Sequence, residues 1–577
     1  MSVATTRLIV IGLLLLAVAF HLAVVGQDFS VLAKNGFLYD DSFYAFKISQ
    51  NIAAGSGATF DGEHRTNGFQ PLYVFLLVPF YYFAGGDLIT PINAAVVLAA
   101  LFTGLTAVLL FFILRRYAST KIAVLTALIW AFSPVVTKQS ANGLETSLAL
   151  LLFASVLYYY IARIRPVERP GTRTFLVFGL LVGLAVLARV DEVFLALVIL
   201  LDYLLVLRRR RASSKALGKV MATLVAALLV YSPWLVYGIH TTGHVFQDSG
   251  SATRYLSLAY APLFDLGGPG MAASGPSAGF VWGHVVHSFS VLKIAPPTHA
   301  AFRALEKLGL TVGAPDALAA VANVLGLALL AAFVYVVIIR RRSLSVTGFG
   351  ELQFLLLYTV VLIAAYSFYV FGVFFFVRYY YPIYFVACIF AGLLLEEGFR
   401  KLPANAALGR SLAAVILAGY LCVFGYMAYA CVCRSNQQYC FYDVARWVEK
   451  YTSPDDTIGV FQSGAIGYFS HRRVINLDGK VNRDALDALK DERLAEYLRG
   501  EGVDVVIDNR KVLDLFFAGS HENQRPPDLL VSVGLDKIAD PGLDGDMRGW
   551  AAYRVDGIAG SHGTGTFYGA PAPADSR

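Results

Sequence analysis

The chain has 577 residues, 57% of them hydrophobic and only 15% charged, with a mean hydropathy of +0.61. Such a composition excludes an ordinary soluble enzyme and predicts a polytopic membrane protein. The net charge of +7 sits largely in short clusters between apolar runs, at Arg115–Arg116, 163–173, Arg208–Arg211 and Arg340–Arg342, so it reports topology rather than affinity for nucleic acid.

In chain order, apolar runs of crossing length lie near 7–26, 92–114, 121–138, 144–162, 174–189, 192–207, 215–238, 317–339, 352–377, 379–395 and 410–433. Residues 72–84 are also apolar but are stopped early by "FAGGD", which suits a short re-entrant helix. With the N-terminus inside and 72–84 re-entrant, all four basic clusters fall on the cytoplasmic side, and the region after 434 falls outside. The first apolar run follows Arg7 as in a signal peptide, but it is long and has no small-residue cleavage site, so it reads as a retained helix.

The expected fold is mainly α: a polytopic bundle of about 11–13 helices with a small extracytoplasmic α/β domain at its C-terminal end. The bundle is assigned to 1–433, with a first outer loop at 27–71 and a long outer loop at 239–316. After 434 charged residues become common and the apolar runs shorten. "FYDVARWVEKY" reads as an amphipathic helix, and "TIGVF", "RVINL" and "VDVVIDN" read as strands of a domain over 434–556. The tail 557–577 is rich in Gly, Ala, Pro and Ser and is expected to be loose. Of the five cysteines, Cys431, Cys433 and Cys440 cluster beyond the last apolar run, where they read as inert thiols or, on an oxidising side, one disulfide.

The charges that remain gather on one membrane face. Asp40 and Asp41 follow the first crossing, and adjacent carboxylates at a water–hydrocarbon boundary suit a general base or a divalent cation site, although acids also cap helix N-termini. The segment after them reads as a short interfacial helix with Phe43 and Phe46 on its apolar side, ended by Gly55 and Gly57. Glu145 begins a helix at the outer end of an apolar run, where capping alone would explain it. "LARVDE" forms a hairpin tip whose limbs of about 15 apolar residues span roughly 22 Å against a core of about 30 Å. Arg189, Asp191 and Glu192 are therefore recessed, and must pair with one another or meet a ligand. Arg378, beside Tyr379, suits a lipid phosphate or headgroup contact. The long outer loop adds His244, Asp248, Arg254 and Lys293.

No Walker A, H-E-x-x-H or G-x-G-x-x-G pattern occurs, and no cytoplasmic domain is large enough to bind a nucleotide sugar, so a group-transfer donor has to arrive through the membrane. A transporter or flippase would also carry intramembrane charges, but it would place acids at mid-helix and show related halves, and an envelope binding protein would have no reason to recess charges.

The run "DDSFYAFKISQNIAAGSGATFDGEHRTNGFQPL" from Asp40 to Leu72 resembles the GT-C glycosyltransferases, which include the protein O-mannosyltransferases and lipid A aminoarabinose transferases. "GLETSL" at Glu145, "LARVDE" at Arg189, "RYYYP" from Arg378 and "GAIGYFSHRRVINLDGKVN" from Gly464 extend the resemblance over most of the chain. It implies a polyprenyl-phosphate-linked sugar as donor, inversion at the anomeric carbon, and a glycan, glycolipid or protein as acceptor. Asp40 would be the general base and Asp41 would orient it or bind acceptor, with the two roles exchangeable. Arg378 would hold the leaving lipid phosphate, helped by Arg254 or Lys293. Glu145, Arg189, Asp191, His244, Asn67 and Tyr379 would contact substrate. The "WWDYG" signature is absent, which argues against asparagine glycosylation. The implied setting is the bacterial inner membrane, among its lipids, with no cofactor beyond a possible divalent metal ion. "NLDGKVN" itself reads as a structural turn.

Overall fold

The computed structural model describes residues 2–260, 345–369, 377–401, 439–517, 529–534 and 550–555, apart from 27–28, 35–36, 169 and 211–214. The apolar runs 317–339 and 410–433, Lys293, Cys431, Cys433 and the tail 557–577 lie outside the described residues.

Among the described residues five helices are long and apolar enough to cross a membrane: Val3–Val25, Ile89–Leu114, Thr146–Ile164, Gly218–Thr242 and Arg378–Lys401. Each matches an apolar run in the sequence, and shorter apolar helices occupy Pro71–Ala84, Thr120–Ala131, Thr172–Ala188 and Phe354–Tyr366. The run 121–138, expected as one helix, is broken. Pro134 lacks an N–H and pushes Ser133 to ψ 127°, so one helix stops at Ala131 and another, Pro134–Ser140, starts after the extended Ser133. The bundle core is aromatic and tightly filled around Trp130, whose ring stacks on Tyr381 at 5.5 Å and meets Phe385 edge-on at 5.2 Å.

The C-terminal region carries a five-stranded sheet in the order β2-β1-β3-β5-β4. β1 (Thr457–Val460), β2 (Arg473–Asn476) and β3 (Val505–Asn509) are parallel and coincide with the three apolar segments seen in the sequence. β5 (Trp550–Val555) runs antiparallel to β3 and to β4 (Leu529–Gly534), two strands that sequence patterning did not reveal. The amphipathic helix Tyr439–Tyr451 buries Val444, Trp447 and Val448 in a core that also contains residues of the first loop.

That shared core positions the site. The helix Asp40–Ala53 has Phe43 and Phe46 buried, but against Tyr468 and Phe469 rather than against lipid. Tyr81 and Tyr468 join their hydroxyls at 2.8 Å. Tyr44 places its hydroxyl within hydrogen-bond reach of Phe461 O, Ser463 N and Asn476 Nδ2, at 3.3–3.5 Å. The first loop and the sheet domain are thus one packed body, as the merged apolar core requires.

Gly464 marks the closest approach: a Cβ there would stand 2.1 Å from the Asp40 carbonyl oxygen, a backbone atom that cannot yield. Gly464→Ala is therefore expected to loosen this docking by about 1–3 kcal/mol, the usual cost of overpacking. The measurement is thermal unfolding with limited proteolysis in detergent. Gly171→Ala, where a Cβ meets nothing within 4 Å, serves as control. Equal stability of the two variants would contradict the packing described.

Candidate active site

Asp40 and Asp41 occupy the first turn of the helix Asp40–Ala53, which Tyr39 enters in extended conformation without a side-chain cap. Their carboxylates diverge. Asp40 turns toward the sheet domain and accepts the N–H groups of Ala465 at 2.8 Å and Gly464 at 3.3 Å. Asp41 turns toward a cavity of about 460 Å³, where its Oδ2 accepts from Arg378 at 2.5 Å and its Oδ1 from Lys480 at 3.3 Å.

Their surroundings tune them oppositely. Burial, opposed by the Ala465 N–H and reinforced by the Asp41 charge, pushes Asp40 up to about 8. Burial would raise Asp41 as well, but Lys480 and Arg378 outweigh it and hold that carboxyl well below the usual range. Lys480 is raised in turn, because Asp41 and Asp478 overcome the cost of burying its ammonium. Asp41 is therefore the ionised member of the pair.

A second charged network forms the neighbouring wall. Arg189, at the end of the helix Thr172–Ala188, binds both oxygens of Asp191 at 2.9 Å, and its Nη1 reaches Glu145 at 3.1 Å. Its Nη2 also donates to the Tyr366 hydroxyl at 3.1 Å, which donates to Asp191 at 2.5 Å. Glu145 makes no side-chain cap to the helix that it precedes; its carboxylate serves Arg189 instead. Tyr379 stacks on Tyr366 at 4.8 Å and lies under both guanidinium groups, with Arg378 5.2 Å and Arg189 5.5 Å from its ring centre. Arg189 and Asp191 of the hairpin tip are thus paired, as their depth demands, whereas the carboxyl of Glu192 is buried and its Oε2 meets no hydrogen-bond partner.

Of the residues singled out in the sequence, Asp41, Glu145, Arg189, Asp191, Arg378 and Tyr379 line this one cavity. Asp40 does not; its oxygens are occupied by the domain's amides. Asn67 is buried, and its amide is consumed in joining the first loop to the segment at 242–248, through Thr242 Oγ1, Phe246 O and the Asp248 N–H. It is placed as a clamp rather than as a substrate contact. His244 and Arg254 are exposed and do not line the cavity. Lys480 and Tyr366 do line it and were not singled out: Lys480 stands within the "NLDGKVN" read as a turn, and Tyr366 is hidden within an apolar run.

Among the described residues no group of three or more His, Cys, Asp or Glu side chains is arranged to hold a metal ion. The acidic pair does not fit a divalent cation either, since Asp41 already meets two cationic groups and Asp40 is engaged by backbone amides.

Beside the polar cavity an apolar groove of about 390 Å³ runs between the helices Thr172–Ala188, Val193–Arg209 and Lys215–Thr242. Val193 and Tyr231 line both spaces, so the two are contiguous.

Residues 72–237 match the family model described as dolichyl-phosphate-mannose-protein mannosyltransferase. Residues 429–555 match one described as a domain of unknown function (DUF8728). Comparison with curated proteins gives no match. Among solved structures the chain is similar to the oligosaccharyltransferase AglB from Archaeoglobus fulgidus in complex with an inhibitory peptide and a dolichol-phosphate. The identity there is 14%, over 87% of this chain and 69% of that one, with a TM-score of 0.52. It is similar also to the same organism's oligosaccharyltransferase tethered to an acceptor peptide, at 13% identity over the same shares and a TM-score of 0.51. ArnT from Cupriavidus metallidurans bound to undecaprenyl phosphate matches at 14% identity over 94% of this chain and 98% of that one, with a TM-score of 0.46. The likeness to the two oligosaccharyltransferase structures is one of fold, and the matched mannosyltransferase model covers the bundle segment 72–237. The chain is an integral membrane protein.

The joint between first loop and sheet domain also depends on pH. His64 lies 2.6 Å from Asp61 and 3.4 Å from Glu501. Its hydrogen bond to Asp61 within the first loop, opposed by burial and reinforced across the joint by the Glu501 charge, pushes it up to about 9, and only the Glu501 part belongs to docking. A histidine raised by folding stabilises fully below its unfolded value and loses that contribution as pH rises through about 9. Asp40 works in the same sense, because the docked state holds its proton up to about 8 and ionisation above the ordinary value weakens docking. Protease resistance of the docked domain should therefore fall between pH 6.5 and 9, and His64→Gln should flatten part of that decline. An unchanged pH profile in the variant would remove His64 from this role.

Proposed function

We propose that the chain is an inverting glycosyltransferase of the bacterial inner membrane, moving a sugar from a polyprenyl-phosphate carrier to an acceptor hydroxyl on the extracytoplasmic side. The observation that carries this reading is the contiguity of an apolar groove with a polar cavity in which a carboxylate meets two cationic side chains. The groove suits a polyprenyl chain and the cations suit its phosphate. The orientation is supported by basic residues at the helix ends remote from the cavity: Arg208 and Arg209 opposite Asp191, and Arg400 and Lys401 opposite Arg378.

In this reading Asp41, rather than Asp40, is the general base. The acceptor oxygen attacks the anomeric carbon and its proton passes to Asp41. The bond from that carbon to the phosphate oxygen breaks, and the electron pair leaves with the lipid phosphate. Inversion places base and leaving phosphate on opposite faces of the sugar, so the Asp41–Arg378 contact has to open as the phosphate draws the guanidinium to itself. Arg189, with its donors committed to Asp191, Glu145 and Tyr366, holds the wall and positions Tyr379. Phosphate is a tolerable leaving group, so positioning and charge stabilisation supply most of what the reaction needs. The acceptor hydroxyl belongs to a glycan, glycolipid or protein.

The test is transfer from a panel of polyprenyl-phosphate sugars to a membrane extract, followed by mass spectrometry with purified protein. Asp41→Asn should lower turnover by about 10²–10⁴-fold, the usual worth of a general base. It should also tighten donor binding, because the carboxylate that competes for Arg378 and Lys480 is gone. Asp40→Asn should retain measurable turnover. The reverse pattern, activity kept in Asp41→Asn and abolished in Asp40→Asn, would return the base to Asp40.

A further inference from the structure

We propose that Lys480, supplied by the C-terminal domain, is a second cation for the donor's phosphate, so that this domain completes the catalytic site. The inference rests on the glycosyltransferase reading above and adds a residue and a domain to it.

Lys480 and Arg378 stand on different elements of the chain but end on the two oxygens of one carboxylate, at 3.3 Å and 2.5 Å. Two non-bridging oxygens of one phosphate present the same kind of target to the same two cations. The reaction also moves charge between these anions. A carboxylate and a phosphodiester, each carrying one negative charge, become a neutral carboxylic acid and a phosphomonoester that carries two. Two cations that both touch the carboxylate are placed to follow that charge onto the leaving group. Arg378 alone would face a developing dianion with one positive charge.

The chain holds this lysine from both sides. Its N–H donates to Asp478 Oδ1 at 2.9 Å, and its ammonium lies 3.2 Å from Asp478 Oδ2 and 5.9 Å from the centre of the Tyr44 ring. Its carbonyl oxygen packs against Gly68 of the first loop, where a Cβ would stand only 1.9 Å away. Its side chain is 19% exposed and lines the cavity. A largely buried ammonium is costly to hold unless its partners are fixed, and Asp478, buried in the sheet domain, remains beside it when a phosphate takes the place of Asp41.

The experiment measures binding of a polyprenyl phosphate and of the uncharged polyprenol of the same length to the full chain in nanodiscs. Wild type should prefer the phosphate. Lys480→Gln should lose about 10- to 100-fold of that preference, the worth of a hydrogen bond to a charged group, with polyprenol binding unchanged. Lys480→Arg should restore most of it. Preference kept in Lys480→Gln would overturn the assignment and leave the glycosyltransferase reading standing. An equal loss for both lipids would mean that Lys480 only supports packing, and would overturn it too. Wild type without preference for the phosphate would overturn both.

Discussion

Successive side chains on an α-helix point about 100° apart. Two adjacent carboxylates in a first helical turn therefore cannot serve one surface. In the helix Asp40–Ala53 this divergence sends Asp40 into the C-terminal domain and Asp41 into the cavity. The rest of the arrangement follows from it. Asp40 fixes Gly464 and Ala465, and the domain so docked carries the turn at Asp478 that brings Lys480 to the other face of Asp41. Docking and site assembly are thus two outcomes of one dipeptide.

The charges around the cavity divide into a fixed set and an exchangeable set. Arg189, Asp191, Glu145 and Tyr366 satisfy one another with short, mostly multiple hydrogen bonds, which is how ionic groups near hydrocarbon are made tolerable. The set of Asp41, Arg378 and Lys480 has a different character. Arg378 and Lys480 each meet one oxygen of Asp41, Lys480 meeting Asp478 as well, and in the proposed reaction the charge that develops on the leaving phosphate would draw both cations from Asp41. Tyr379, between the two guanidinium groups, couples the sets and lines the polar cavity beside Arg378.

Much of this was legible in the sequence because membrane helices announce themselves by length and composition. The described spans fall on apolar runs, and the acidic pair, Glu145, the Arg189–Asp191 tip and Arg378 stood out because charge is scarce in such a chain. What escaped was set by tertiary contact. Nothing local separates Asp40 from Asp41; only the domain's position does. Lys480 looked ordinary because lysines are common in the charged C-terminal region, and its meaning comes from a contact with a residue 439 positions away. Asn67 shared the acidic pair's motif, yet its amide is spent on Thr242 and Asp248. The break at Ser133–Pro134 shows the opposite case, where a local steric rule outweighed an unbroken apolar run.

The exchange of Asp41 for a lipid phosphate is the step on which this view of the molecule turns, and it can be seen directly. A cryo-electron microscopy structure of the full chain in nanodiscs with a polyprenyl phosphate should show the phosphate between Arg378 and Lys480, the lipid chain in the groove past Val193 and Tyr231, and the Asp41–Arg378 contact opened. Phosphate density elsewhere, for instance beside Arg254, with Asp41 still bound to both cations, would contradict it.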